Sequence, residues 1–126
     1  MFFKEEEIKV ANKSVHKLVT LKKNYEFQYV FRKGKRFSCL HFSLIVAPAK
    51  KNYPKFGIVI SKKIGKAVIR NKKRRQIKEI LRKLVFEVVP NQYVIVAKEN
   101  IVELKFFELE KELADCFNKN KLVVKK

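Results

Sequence analysis

Lys55-Phe56-Gly57-Ile58-Val59-Ile60-Ser61-Lys62-Lys63-Ile64-Gly65-Lys66-Ala67-Val68-Ile69-Arg70-Asn71-Lys72-Lys73-Arg74-Arg75-Gln76-Ile77-Lys78 reads as an apolar strand, a turn marked by Gly65, and a helix loaded with cations. Between Lys62 and Lys83 the only acid is Glu79, against Lys62, Lys63, Lys66, Arg70, Lys72, Lys73, Arg74, Arg75, Lys78, Arg82 and Lys83. Charge of that density cannot be neutralised within the segment and calls for a polyanionic counterpart. At 100° per residue, Arg70, Lys73 and Arg74 share a stripe with Ile77, Leu81, Leu84 and Val88, so the inward face of the helix turns from basic to apolar along its length. An unpaired Arg in a core is strongly unfavourable, so the N-terminal turns are expected to project past the sheet while the C-terminal turns pack on it. Asn71, Arg75, Lys78 and Arg82 widen the polar flank. A solvated helix face would hold interspersed acids as i,i+4 partners, because like charges at that spacing destabilise a helix; here there are almost none. The free amides at the helix start, next to Gly65 and Lys66, favour phosphate.

On either side of this unit, Asn24 reads as an N-cap and Gly34 as a stop, predicting a short helix over Tyr25 to Lys33 with Phe27, Val30 and Phe31 on one face. Aromatic and β-branched runs predict strands at 36–40, 42–48 and 55–60, broken at Pro48 and at Asn52 to Pro54. The long helix is predicted over Ala67 to Val89, ending before Pro90. Tyr93 to Ala97 is apolar throughout, as a central strand buried on both faces would be. A last helix is predicted over Lys105 to Asn118, stacking Phe106, Leu109, Leu113 and Phe117. The expected organisation is an N-terminal arm (1–20), one domain (21–118) and a frayed basic tail (119–126).

The 126 residues, 47% of them hydrophobic, suffice for one core and not for two domains. Lys and Arg number 31 against 12 acids, a formal charge of +19 that exceeds what solubility requires and points to a polyphosphate. The apolar runs are far shorter than the roughly 20 residues of a spanning helix, and the N-terminus lacks the pattern of an export signal, so a cytoplasmic protein without membrane attachment is expected. Cys39 and Cys116 lie far apart in sequence without metal or redox spacing and read as ordinary buried free thiols. Two-metal phosphodiester hydrolysis needs clustered carboxylates, and this chain has one Asp, Asp115, with Glu5 to Glu7 in the expected arm and most of the other acids in the C-terminal quarter. His16 and His41, the remaining acid–base candidates, lack supporting residues and read as surface or structural.

The run Ser61 to Arg75 closely resembles the signature of the bacterial ribonuclease P protein family, whose heart is Arg-Asn followed, after two residues, by a basic pair and a further cation. Here the pair is Arg74-Arg75 and the further cation is Lys78, which lacks the planar fork of an Arg. Leu21 to Gly34 resembles the family's first helix, and Tyr93 to Phe117 its last strand and helix. The resemblance implies an α+β two-layer sandwich, ribosomal-protein-like, in the order α-β-β-β-α-β-α. It implies a left-handed β-α-β crossover, where general chirality favours the right-handed form. It further implies a one-to-one ribonucleoprotein in which a monomeric protein binds ribonuclease P RNA and precursor tRNA. The RNA then removes the 5′ leader with magnesium, and this chain holds no tightly bound cofactor and no catalytic residue. By the same analogy Arg70, Asn71, Lys73, Arg74, Arg75 and Lys78 contact the catalytic RNA, and Phe27, Phe31, Phe42, Lys62 and Lys66 line the leader cleft. Aromatic faces and cations suit an unpaired strand, although spacing favours the core for Phe27 and Phe31. A ribosomal RNA-binding or ribosome-assembly protein is the alternative reading of the composition; a DNA-binding architectural protein would need a groove-reading motif that is missing here.

Overall fold

The computed structural model describes residues 18–123. Its element order is α1 (Asn24–Lys33), β1 (Lys35–Ser38), β2 (Phe42–Pro48), β3 (Lys55–Val59), α2 (Ala67–Leu84), β4 (Asn91–Ala97) and α3 (Phe106–Lys119), with short 3-10 turns at Lys62–Ile64 and Glu99–Glu103. The strands form one sheet in the order β1-β2-β4-β3. β4 pairs antiparallel with β2 and parallel with β3, so β3, α2 and β4 make a β-α-β unit. The α+β class and the order α-β-β-β-α-β-α stand as expected.

Alternation along the strands divides the core. Phe42 and Leu44 of β2, Phe56 of β3, and Tyr93 and Ile95 of β4 meet Ile77, Ile80 and Leu81 of α2 and Leu109, Leu113 and Phe117 of α3. Ile45, Ala47 and Val94 point to the other face and meet Val30 of α1, with Phe27 packed at the edge. The sheet therefore carries α2 and α3 over one face and the smaller α1 over the other. Tyr93 anchors the larger core, stacked on Phe56 at 5.3 Å between ring centroids and edge-on to Phe117 at 5.2 Å. Its buried hydroxyl donates to the Val89 carbonyl oxygen. Gly34 is a required glycine, because a Cβ there would lie 2.3 Å from the Val30 carbonyl oxygen and 2.7 Å from Ile45.

Expectations shift at the ends of elements: Lys23, not Asn24, is the N-cap of α1, and β1 runs over 35–38 rather than 36–40. Residues 18–20, placed in the arm, lie beside β3: the Phe56 amide donates to Val19 (3.0 Å), the Leu21 amide donates to Phe56 (2.8 Å), and Thr20 bridges Phe56 in parallel. The free edge of β3 is thereby covered. Residues 1–17, with His16, lie outside the described residues. α2 stops at Leu84 rather than Val89, because Val88 and Val89 leave the helix to pair with the chain end: Val88 bridges Val123, and the Val89 amide donates to Leu122 at 2.7 Å. The segment 119–123, expected to fray, is docked by that pairing and by the burial of Leu122.

Cys39 and Cys116, 77 positions apart, are both free and meet with their Sγ atoms 3.1 Å from each other. Burial, with a bond to Cys39, pushes the Cys116 thiol up to about 12. His41 is structural: its Nδ1 lies 2.7 Å from Glu112 Oε1 and its amide donates to Oε2 at 2.9 Å, tying the β1–β2 turn to α3.

Candidate nucleic-acid interface

The turn between β3 and α2 is built to present cations. Ser61 Oγ accepts from the Lys63 amide at 3.0 Å, and Ile64 is buried as the anchor, leaving Lys62, Lys63 and Lys66 exposed. Arg70 folds back and donates from Nε to the Gly65 carbonyl at 3.1 Å, which holds its guanidinium at the helix start. A Cβ at Gly65, whose φ is 159°, would press on Ile69 at 3.2 Å.

Past this turn, α2 sends its cations to two sides of the apolar stripe formed by Ile77, Ile80 and Leu81. Arg74 and Lys78, one turn apart, border a cleft of about 120 Å³ beside Phe27, Gly57 and Ile58. Lys73 goes the other way. It is 5% exposed, and its ammonium donates to the Leu104 carbonyl at the start of α3. Burial, and secondarily the neighbouring Lys72 charge, hold its pKa below the usual lysine value. The sequence reading that grouped Lys73 with Arg70 and Arg74 as an RNA contact is thus corrected: its charge is spent on a backbone carbonyl inside the protein. Asn71 and Arg75 are exposed on the outer flank.

On α1, Phe27 is half-buried with its ring lying on the backbone of β3, where a Cβ at Gly57 would come within 2.5 Å of Phe27 Cε1. Gly57 thus creates the space in which this ring rests. Phe31, one turn on, is 44% exposed. Phe42 does not join them. It is fully buried against α2 and α3, on the opposite face of the sheet, and its assignment to the leader cleft is corrected. Alternation decides this, since Phe42 and Leu44 share one face while Ser43 and Ile45 share the other. The side chains that extend the α1 face are Val59 and Val96, both half-buried. Sequence reasoning passed over them as generic strand residues; they stand in register with Ser43, on the sheet face away from Phe42. The cations lining the cleft beside Phe27 are Arg74 and Lys78; Lys62 and Lys66 stand exposed in the turn beyond the end of β3.

Acids are engaged elsewhere. Glu26 accepts from the Lys22 and Lys23 amides at 3.0 Å and meets Lys55 at 3.3 Å, and those bonds, led by Lys23, lower its pKa from 4.5 to about 2. Glu79 pairs with Arg82, Glu110 with Lys83, and Glu112 with His41. Among the described residues, no carboxylate lies within ion-pair distance of Lys62, Lys66, Arg70, Arg74, Arg75 or Lys78. An unneutralised cationic arc beside an aromatic ring on a strand backbone suits a nucleic acid, with phosphates meeting the cations and an unpaired base meeting the ring.

The fold and this surface define a small α+β nucleic-acid-binding protein. The family model for ribonuclease P matches residues 15–121. The chain is 37% identical over 102 residues to the ribonuclease P protein component of an Exiguobacterium species, covering 81% of this chain and 90% of that one. It is 36% identical over 109 residues to the ribonuclease P protein component of Fusobacterium nucleatum, covering 82% and 98%. Its backbone matches the structure of the Staphylococcus aureus RNase P protein with a TM-score of 0.80 at 25% identity, over 86% of this chain and all of the other. The chain belongs to the bacterial ribonuclease P protein family.

Proposed function

We propose that this chain is the protein subunit of ribonuclease P and acts by binding: the cationic arc of α2 holds the catalytic RNA, and the cleft beside Phe27 holds the 5′ leader of precursor tRNA. The observation that carries this reading is the juxtaposition of unpaired Arg74 and Lys78 with Phe27 over Gly57. Phosphate charge released from its counterions on the arc supplies affinity, and a base stacked on an aromatic ring supplies preference for an unpaired strand without demanding a sequence. Because Arg74 and Lys78 border the same cleft as Phe27, they serve both ligands, with the leader passing at the margin of the RNA subunit. Lys62 and Lys66 extend the cationic path from the turn, and Phe31 extends the aromatic one.

Hydrolysis is assigned to the RNA subunit with its magnesium. Among the described residues no three His, Cys, Asp or Glu side chains come together to hold a metal ion. The protein works in the cytoplasm, where precursor tRNA is made, as one copy per RNA.

The test is a binding comparison. Arg70→Ala and Arg74→Ala should weaken binding to ribonuclease P RNA and flatten its dependence on salt by about one unit of slope each. Phe27→Ala should weaken leader-bearing precursor about fivefold or more and leave mature tRNA unchanged. Equal loss for both substrates, with the fold intact, would refute the cleft assignment. Cleavage of precursor tRNA by the purified polypeptide without RNA would refute the division of labour.

A further inference from the structure

At the far end of the sheet, where β2 ends and β3 and β4 begin, a second cavity of about 170 Å³ opens between the N-terminal half of α1 and the loop after β2. Tyr25, Tyr29 and Tyr53 line it together with Lys50, Lys51 and Lys55. These are three of the four tyrosines in the chain, and the fourth, Tyr93, is fully buried in the core. Tyr25 is 63% exposed and Tyr53 38%, and among the described residues neither ring stacks on another. The Lys50 ammonium already sits 4.5 Å above the centre of the Tyr29 ring. Lys55 is neutralised by Glu26 at 3.3 Å, whereas Lys50 and Lys51 have no carboxylate partner among the described residues.

We infer that this cavity is a second binding site for an unpaired RNA nucleotide, with the base stacked on tyrosine and its phosphate held by Lys50 and Lys51. Size agrees, since a cavity of about 150 Å³ accommodates a benzene-sized ring and a pyrimidine is of that order. Chemistry agrees, since exposed aromatic faces with interleaved lysines bind unpaired strands whatever their sequence. The site is separate from the cleft of Phe27: Tyr25 and Tyr29 lie on one flank of α1 and Phe27 on another, and β3 separates the cavity from the Lys62–Lys66 turn by roughly 17 Å of strand. The inference rests on the RNA-binding reading above and extends it to a ligand contact on the opposite side of α1. Either the leader or an unpaired stretch of the RNA subunit could supply the nucleotide.

The chain has no tryptophan, so its fluorescence comes from tyrosine, and three of the four tyrosines line this cavity, where a stacked base quenches them. A 5′-phosphorylated uridine tetranucleotide should quench the emission saturably. Tyr53→Ala and Tyr25→Ala should each weaken that binding about fivefold or more, while Tyr53→Phe, which keeps the ring, should retain the affinity. Two further titrations identify the source. If the leader supplies the nucleotide, Tyr53→Ala loses affinity only for precursors whose leader exceeds a threshold length; if the RNA subunit does, affinity for that RNA alone falls. Unchanged affinity of Tyr53→Ala and Tyr25→Ala for the tetranucleotide, the precursors and the RNA subunit would overturn the inference. Phe27→Ala run alongside keeps the two readings apart, because its failure touches only the leader cleft.

Discussion

Gly57 and Glu26 show how single residues shape the proposed binding face from within the protein. A methyl group at position 57 would collide with the Phe27 ring, so Gly57→Ala should tilt Phe27 out of its seat, lower stability by about 1–3 kcal/mol and reduce the preference for leader-bearing precursor. Thermal unfolding and the paired binding assay read the two effects separately. Glu26 fastens the start of α1 by accepting two amides and meeting Lys55. Its carboxyl titrates at about 2 in the folded protein against 4.5 ordinarily, so the unfolded chain takes up the proton first. The stabilisation is complete above pH 4.5 and fades as pH falls toward 2. Acid unfolding followed by helicity should show this contribution in the wild type and lose it in Glu26→Gln, which should also be less stable at neutral pH by about 1 kcal/mol.

At the scale of elements, α2 does two jobs by dividing its cations. Arg74 and Lys78 face the β3 side and Arg70 folds back on the Gly65 carbonyl, while Lys73 crosses to the α3 side and donates to Leu104. Helical projection placed Arg70, Lys73 and Arg74 on one stripe and Lys78 on the flank beside it, because it knows the angle of a residue on its own helix and nothing of which neighbour flanks that angle. Lys73→Ala should therefore behave as a packing variant. A loss of about 1–2 kcal/mol in stability is expected from the orphaned carbonyl, with a smaller effect on RNA affinity than Arg74→Ala. Urea denaturation and RNA titration of the two variants side by side distinguish the roles, and an RNA defect in Lys73→Ala as large as that of Arg74→Ala would contradict the assignment. The end of α2 carries the same lesson. Val88 and Val89 fit a helical pattern, and their departure at Leu84 follows from pairing with Leu122 and Val123, some 34 positions later.

For the whole molecule, that pairing makes Leu122 part of the core and ties Val123 to it. Truncation after Lys119 should remove buried Leu122 and unpair Val88 and Val89, lowering the unfolding temperature by several degrees, on the order of 1–3 kcal/mol for one buried Leu and a backbone bond; an unchanged transition would show that the end contributes nothing. Local pattern was enough to read the strand–turn–helix that begins at Lys55, the central strand as Tyr93 to Ala97, the class of the fold and the polyanionic character of the ligand. Period, turn residues and charge density are properties of neighbours along the chain, and they survive in any packing. Which face each strand residue occupies was decided in three dimensions. The pleat of β2 buried Phe42 beneath the helices, and the close approach of α1 to β3 seated Phe27 on Gly57. Packing likewise gathered three tyrosines from two distant segments into one cavity and drew Cys39 to Cys116. Such meetings depend on contacts between residues many positions apart, set when the sheet orders its strands and each side chain takes the side its backbone leaves open, and no spacing along a single chain encodes them.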